Sequence, residues 1–189
     1  YINENKIVPV FYDPSSEVTI EVIKACHAGG IKILEFTNRG DFAWEVFKEA
    51  ELYCRKNLPD MILGAGSISD ATMANLYIST GANFIVGPLT SKEVASACNR
   101  KKIPYMPGCL TPTEISKAEE LGCDVVKVFP ADSVEGPAFI KSILAPMPWS
   151  WIMPTGGVNE DAESLQKWLD SGVFSVGIGS KLFTKEIMQ

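Results

Sequence analysis

Eight short apolar segments recur along the chain, each followed by a stretch with helical period, and this alternation is what most limits the folds open to it. The segments are KIVPVFY, KILEFTN, MILGAGS, FIVGP, IPYMPGC, VVKVFPA, SWIMPTGG and SVGIGS. Each is almost continuously apolar yet too short for a helix, which suits a strand buried on both faces of a parallel sheet. Amphipathic stretches lie between them at 17–28, 42–56, 70–80, 91–100, 113–121 and 161–171. Ser69-Asp70, Thr111-Pro112 and Asn159-Glu160 supply helix starts, and Gly29-Gly30, Gly81, Gly122 and Gly172 supply stops.

Eight βα units can wind an open sheet or close into a ring. No low-complexity linker divides them, so the predicted fold is α/β, a single-domain (β/α)8 barrel of the TIM type over residues 1–189. Such barrels typically run to about 250 residues. The first strand segment lies close to the start of this sequence and the last ends nine residues before its end. The expectation is that the terminal helices are truncated.

A net charge of −6 and the lack of a basic stripe argue against a nucleic-acid partner. The apolar runs fall well short of the ~20 residues that span a bilayer, so no membrane partner is expected. No charged-then-apolar leader opens the sequence, and a cytoplasmic location is the expectation. The five cysteines are scattered without a CxxC pair, which speaks against structural zinc. Cys26, Cys54, Cys98 and Cys123 read as small buried hydrophobes. Cys109 follows Pro-Gly at a strand end, where sites gather. Charge runs at 48–55 and 181–186 read as solvated helix faces, and Trp149 and Trp151 as packing residues.

Reactive groups of a barrel stand at the C-terminal ends of its strands, so polar residues late in the apolar runs are informative. Glu35 interrupts ILEFT, Lys127 interrupts VVKVFP, Thr155 follows MP and Ser67 follows GAG. A charge inside a barrel strand costs desolvation energy unless it is paired or given up. Lys127 and Glu35 could be a structural ion pair, or could snorkel outward between helices. Alternatively Lys127 is a desolvated amine that attacks a carbonyl while Glu35 moves protons. The turns PTGG at 154–157 and GIGS at 177–180 close the last two strand segments. That is the usual place for a phosphate in this architecture.

LEFTNR at 34–39, GAGS at 64–67, FIVGP at 84–88, MPGC at 106–109, VKVFPA at 126–131, PTGGV at 154–158 and GIGS at 177–180 occur in order. With these seven motifs the sequence resembles the class I 2-keto-3-deoxy-6-phosphogluconate (KDPG) / 4-hydroxy-2-oxoglutarate (KHG) aldolases over nearly its whole length. The resemblance implies that Lys127 forms the Schiff base and Glu35 is the general acid/base. Arg39 and Ser67 would take the substrate carboxylate, Pro88 would shape the pocket wall and Thr155 would lie near the reacting carbons. Gly156, Gly157, Gly179 and Ser180 would hold a distal phosphate. It further implies a phosphorylated keto acid as small-molecule partner, a homotrimer, and neither metal nor other cofactor. Three positions depart from the usual family pattern: Ser67 replaces threonine, Cys109 replaces a small aliphatic or hydroxylated residue, and Gly87 precedes Pro88 where serine is frequent.

A metal-dependent aldolase would need a cluster of ligands, yet the sequence holds one histidine, His27, in a helical stretch where it reads as a packed residue. The rival readings are a 2-dehydro-3-deoxy-6-phosphogalactonate aldolase, a phosphate-binding barrel epimerase or isomerase, and a trimeric binding protein that has lost catalysis.

Overall fold

Residues 6–184 are described by a computed structural model of the chain. The expected truncation of the terminal helices, and the 185–186 end of the second charge run, lie outside the described residues.

The strands are β1 (Ile7–Phe11), β2 (Ile33–Thr37), β3 (Ile62–Gly66), β4 (Ile85–Val86), β5 (Tyr105–Met106), β6 (Gly108–Cys109), β7 (Val125–Val128), β8 (Trp151–Pro154) and β9 (Val176–Ile178). All pairings between them are parallel. One sheet runs β5-β4-β3-β2-β1-β9 and a second runs β6-β7-β8. β5 and β6 are two halves of one stave, divided at Pro107, which has no N–H to donate to a ladder. At the other seam, Thr155 bridges Gly177 and the Phe174 N–H donates to the Ile152 carbonyl. Eight staves thus close into the (β/α)8 barrel.

The helices are α1 (Ser16–Ala28), α2 (Ala43–Asn57), α3 (Ala71–Thr80), α4 (Lys92–Lys101), α5 (Pro112–Glu120), α6 (Pro137–Leu144) and α7 (Ala162–Leu169). Ser15, Asp70, Ser91, Thr111 and Asp161 cap α1, α3, α4, α5 and α7 through side-chain oxygens that accept backbone N–H groups. Thr111 and Glu114 form a reciprocal capping box. The last helix therefore starts on Asp161 rather than on Asn159-Glu160. Helix α6 and a 3-10 turn at Ala131–Ser133 are additional to the six helices read from the sequence.

Strand alternation divides the apolar residues into two clusters. Leu34, Phe36, Leu63, Ala65, Ile85, Val126, Val128 and Ile152 face outward and pack under the helices. Val8, Ile33, Phe84, Val86, Met106, Val125 and Met153 fill the barrel interior toward its N-terminal mouth. By the same parity Glu35, Thr37, Gly66, Lys127, Thr155 and Gly177 are the inward positions nearer the C-terminal mouth. The inner face therefore changes character along the axis, apolar below and polar or glycine above.

Trp149 and Trp151 pack only in part, since 65% and 50% of their surfaces are exposed. Trp151 opens its stave at the N-terminal mouth and stacks on Phe174, with ring centroids 4.7 Å apart. Glu51 departs from the solvated face assigned to its charge run. It is buried and accepts a 2.7 Å hydrogen bond from Arg55 Nε.

His27 is half-buried in the last turn of α1, where its Nε2 donates to Asp60 Oδ1 at 2.8 Å. Asp60 also holds Lys32 Nζ at 2.7 Å. Hydrogen bonds from Lys32 and then His27 lower the Asp60 carboxyl from its ordinary 3.8 to about 2. A depressed folded-state value contributes stability above the unfolded value, which is lost as pH falls through the folded one. The melting-temperature advantage of the wild type over Asp60→Asn should therefore shrink as pH falls from 4 to 2.

Candidate active site

Lys127 and Glu35 meet inside the barrel. Lys127 comes from the sixth stave and Glu35 from the second, and Nζ lies 3.5 Å from Oε1 with only 8% and 1% of the side chains exposed. Outward snorkelling is therefore ruled out. Both Glu35 oxygens are buried without a hydrogen-bond partner, as is Thr155 Oγ1. Desolvating two charges is repaid only by close geometry and additional hydrogen bonds, and this pair has neither in full. Buried polar groups left in this condition call for a reason, and a working site is one.

Above the pair opens a cleft of about 380 Å³. Arg39, Thr155, Gly156, Gly157, Gly179 and Ser180, all singled out in the sequence, line it. Lys127 and Glu35 are not themselves lining residues; Lys127 Nζ lies 5.1 Å from the ring centroid of Phe129, which is one. Ser67 and Pro88 stand on the same rim, after β3 and β4, but do not line this cleft.

Local structure explains the placement of Arg39. The Asn38 N–H donates to the Gly66 carbonyl at 2.8 Å, and the buried Tyr77 hydroxyl donates to Asn38 Oδ1 at 3.0 Å. Tyr12 presses against Gly40, where a Cβ would lie 2.8 Å from the ring. The β2–α2 connection is thus held from both sides, and Arg39 projects from it at the cleft. Gly156 and Gly157 have φ of 92° and 71°, a left-handed conformation that favours glycine. A side chain at 157 would also collide with Asp132, whose Cα lies 3.1 Å from the Cβ position.

The departures at Ser67 and Gly87 have physical reasons. Ser67 has φ 61°, where a β-branched threonine would be more strained. A Cβ on Gly87 would come within 2.7 Å of the Tyr105 hydroxyl, which is tied to the Leu89 carbonyl at 2.8 Å. Cys109 does not belong to the site. It packs in the outward cluster, with Sγ 3.3 Å from Thr90 Oγ1.

Thr37, Phe129 and Lys181 also line the cleft and were not among the candidates. Thr37 and Phe129 follow Glu35 and Lys127 by two residues, and strand period alone places them on the same face. Lys181 is exposed, as expected of a solvated face, but it lies in the turn after β9 rather than on a helix and lines the cleft.

A family model for the KDPG and KHG aldolases matches residues 1–189. The chain belongs to this aldolase family. It is 32% identical over 157 residues to the 2-dehydro-3-deoxy-phosphogluconate aldolase of Haemophilus influenzae, covering 83% of the chain and 72% of that protein. It is 28% identical over 153 residues to the KHG/KDPG aldolase of Escherichia coli K12, covering 81% and 70%. The crystal structure of KDPG aldolase from Legionella pneumophila, with pyruvate captured as a covalent carbinolamine, superposes with a TM-score of 0.86. That match is at 28% identity and spans 97% of this chain and 86% of the other.

Within this aldolase fold the cysteines are kept as thiols by burial. Burial pushes Cys26, Cys54, Cys98 and Cys109 up to about 11 and Cys123 to about 12. At pH 8 the native chain should resist iodoacetamide over an interval in which all five cysteines of the urea-unfolded chain are carbamidomethylated, as counted by intact mass.

Proposed function

We propose that this chain is a Schiff-base aldolase that reversibly cleaves 2-keto-3-deoxy-6-phosphogluconate to pyruvate and glyceraldehyde 3-phosphate. The observation that carries the reading is the buried Lys127–Glu35 pair at 3.5 Å beneath a cleft walled by two glycine turns. The names of the relatives and the carbinolamine captured in the Legionella enzyme support it. The Escherichia coli relative, named for both activities, supports a second substrate, 4-hydroxy-2-oxoglutarate, which would give pyruvate and glyoxylate.

In this reading the neutral amine of Lys127 adds to the C2 ketone. The carbinolamine loses water to a protonated imine, which is the electron sink. Glu35, directly or through one water, takes the proton of the C4 hydroxyl as the C3–C4 bond breaks. The aldehyde leaves, the enamine on Lys127 is protonated at C3, and hydrolysis of the imine frees pyruvate. Arg39 and Ser67 take the carboxylate, Arg39 through its two-pronged guanidinium. Pro88 shapes the wall, Thr155 contacts the substrate near the reacting carbons, and Gly156, Gly157, Gly179 and Ser180 receive the phosphate. The same reading carries a cytoplasmic homotrimer, on the family resemblance.

Borohydride reduction in the presence of pyruvate should add one pyruvate-derived mass to Lys127, located by peptide mass spectrometry. The adduct and turnover should both vanish in Lys127→Met, and a wild-type chain that forms no adduct would remove the proposal. Arg39→Ala should raise KM roughly 10- to 100-fold for the phosphorylated and the unphosphorylated substrate alike, the cost of one charge-assisted contact. A rise confined to the phosphorylated substrate would move Arg39 to the phosphate end.

A further inference from the structure

We propose that Gly66 is a positioning residue for Glu35: the bare backbone at this point of the barrel wall lets the carboxylate lie where it faces Lys127. The proposal rests on the reading of Glu35 as the proton carrier and adds a requirement on the neighbouring stave.

Glu35 pairs in register with Gly64, and Gly66 pairs with Thr37 one inward step higher. The Glu35 side chain leans from β2 toward the C-terminal mouth and lies over the Gly66 backbone. A Cβ on Gly66 would stand 2.7 Å from both Cγ and Cδ of Glu35 and would also meet Oε1. Real Cβ atoms essentially never show contacts that close. These are the three atoms nearest to that Cβ, so Glu35 is what any side chain at 66 meets first.

The backbone of Gly66 is not among the left-handed positions, so an alanine there is conformationally permitted. Substitution would therefore act through the carboxylate and not through main-chain strain. The carboxylate has little else to hold it. Neither of its oxygens takes a hydrogen bond from the protein, and its one charged partner stands 3.5 Å away.

The other inward glycine of β3 shows the same arrangement used for packing. The hollow at Gly64 is filled by the Phe84 ring from the opposite side. Above Ile62, the two bare inward positions of this stave thus receive one neighbour on each flank, a phenyl ring at Gly64 and a carboxylate at Gly66.

The test compares Gly66→Ala, Glu35→Ala and the double variant in the full chain, by kcat and KM for 2-keto-3-deoxy-6-phosphogluconate and by melting temperature. Gly66→Ala should lower kcat about 100-fold, the scale of a misplacement near 1 Å, with little change in KM and with borohydride trapping of pyruvate on Lys127 retained. In the Glu35→Ala background the same alanine should change kcat less than about two-fold, because no carboxylate remains to displace. If Gly66→Ala alone fails to fold, a folded double variant supports the proposal and an unfolded one overturns it. Unchanged kcat in Gly66→Ala, or equal losses in both backgrounds, also overturns it. Undiminished kcat in Glu35→Ala would overturn the proton-transfer role itself and the Gly66 proposal with it, whereas the other adverse outcomes strike Gly66 alone.

Discussion

A ring of eight parallel staves has two dry faces, and the inner one must be filled to the density of an organic crystal. That constraint governs the whole molecule. Seven large apolar side chains from Val8 to Met153 satisfy it near the N-terminal mouth, while the helices satisfy it outside with residues such as Leu34, Phe36 and Ile152. Once these two layers are closed, the upper interior can hold Glu35 and Thr155 without side-chain hydrogen bonds, with Lys127 beside them. Burying a charged pair on such terms costs several kcal/mol per ion before compensation. Within a marginally stable domain such a cost is carried only because the apolar layers are extensive.

Glycine has two distinct uses in this barrel. In the staves it removes side chains, so that Phe84 settles over Gly64 and Glu35 over Gly66. In the loops it permits left-handed turns, as at Gly156 and Gly157, that bring the main chain to the cleft. The GAG and TGG motifs look alike in sequence. They act through opposite properties, absence of bulk in one and freedom of φ in the other.

The barrel was legible because strands buried on both faces leave unmistakable apolar runs, and all eight contain the staves. Six helices stood out by period and by starts such as Ser69-Asp70 and Thr111-Pro112. Helix α6 did not, although Gly136-Pro137 places proline at its first turn, because the short stretch to Leu144 shows few polar residues against which to see a stripe. Lys127 and Glu35 were legible as charges in apolar strands. Arg39 needed the resemblance, since an arginine after a strand says nothing of the loop that aims it. Cys109 and Lys181 were misjudged for one reason: their orientation depends on strand parity and turn geometry and not on residue type. Trp149 and Trp151 show the same limit, for bulk predicts burial only where another element lies opposite.

The hydrogen-bond ladder around the barrel is not uniform. A six-stranded and a three-stranded sheet meet at Pro107, where the chain itself joins them, and between β8 and β9, where one bridge and the Phe174–Ile152 bond take the place of a full ladder. The glycine turns of the cleft sit on that second seam. The wall is therefore sparsest in hydrogen bonds beside the cleft. Its two flanking turns are tied to each other by the Thr155–Gly177 bridge rather than by a ladder, so their spacing is set by the apolar layer beneath them.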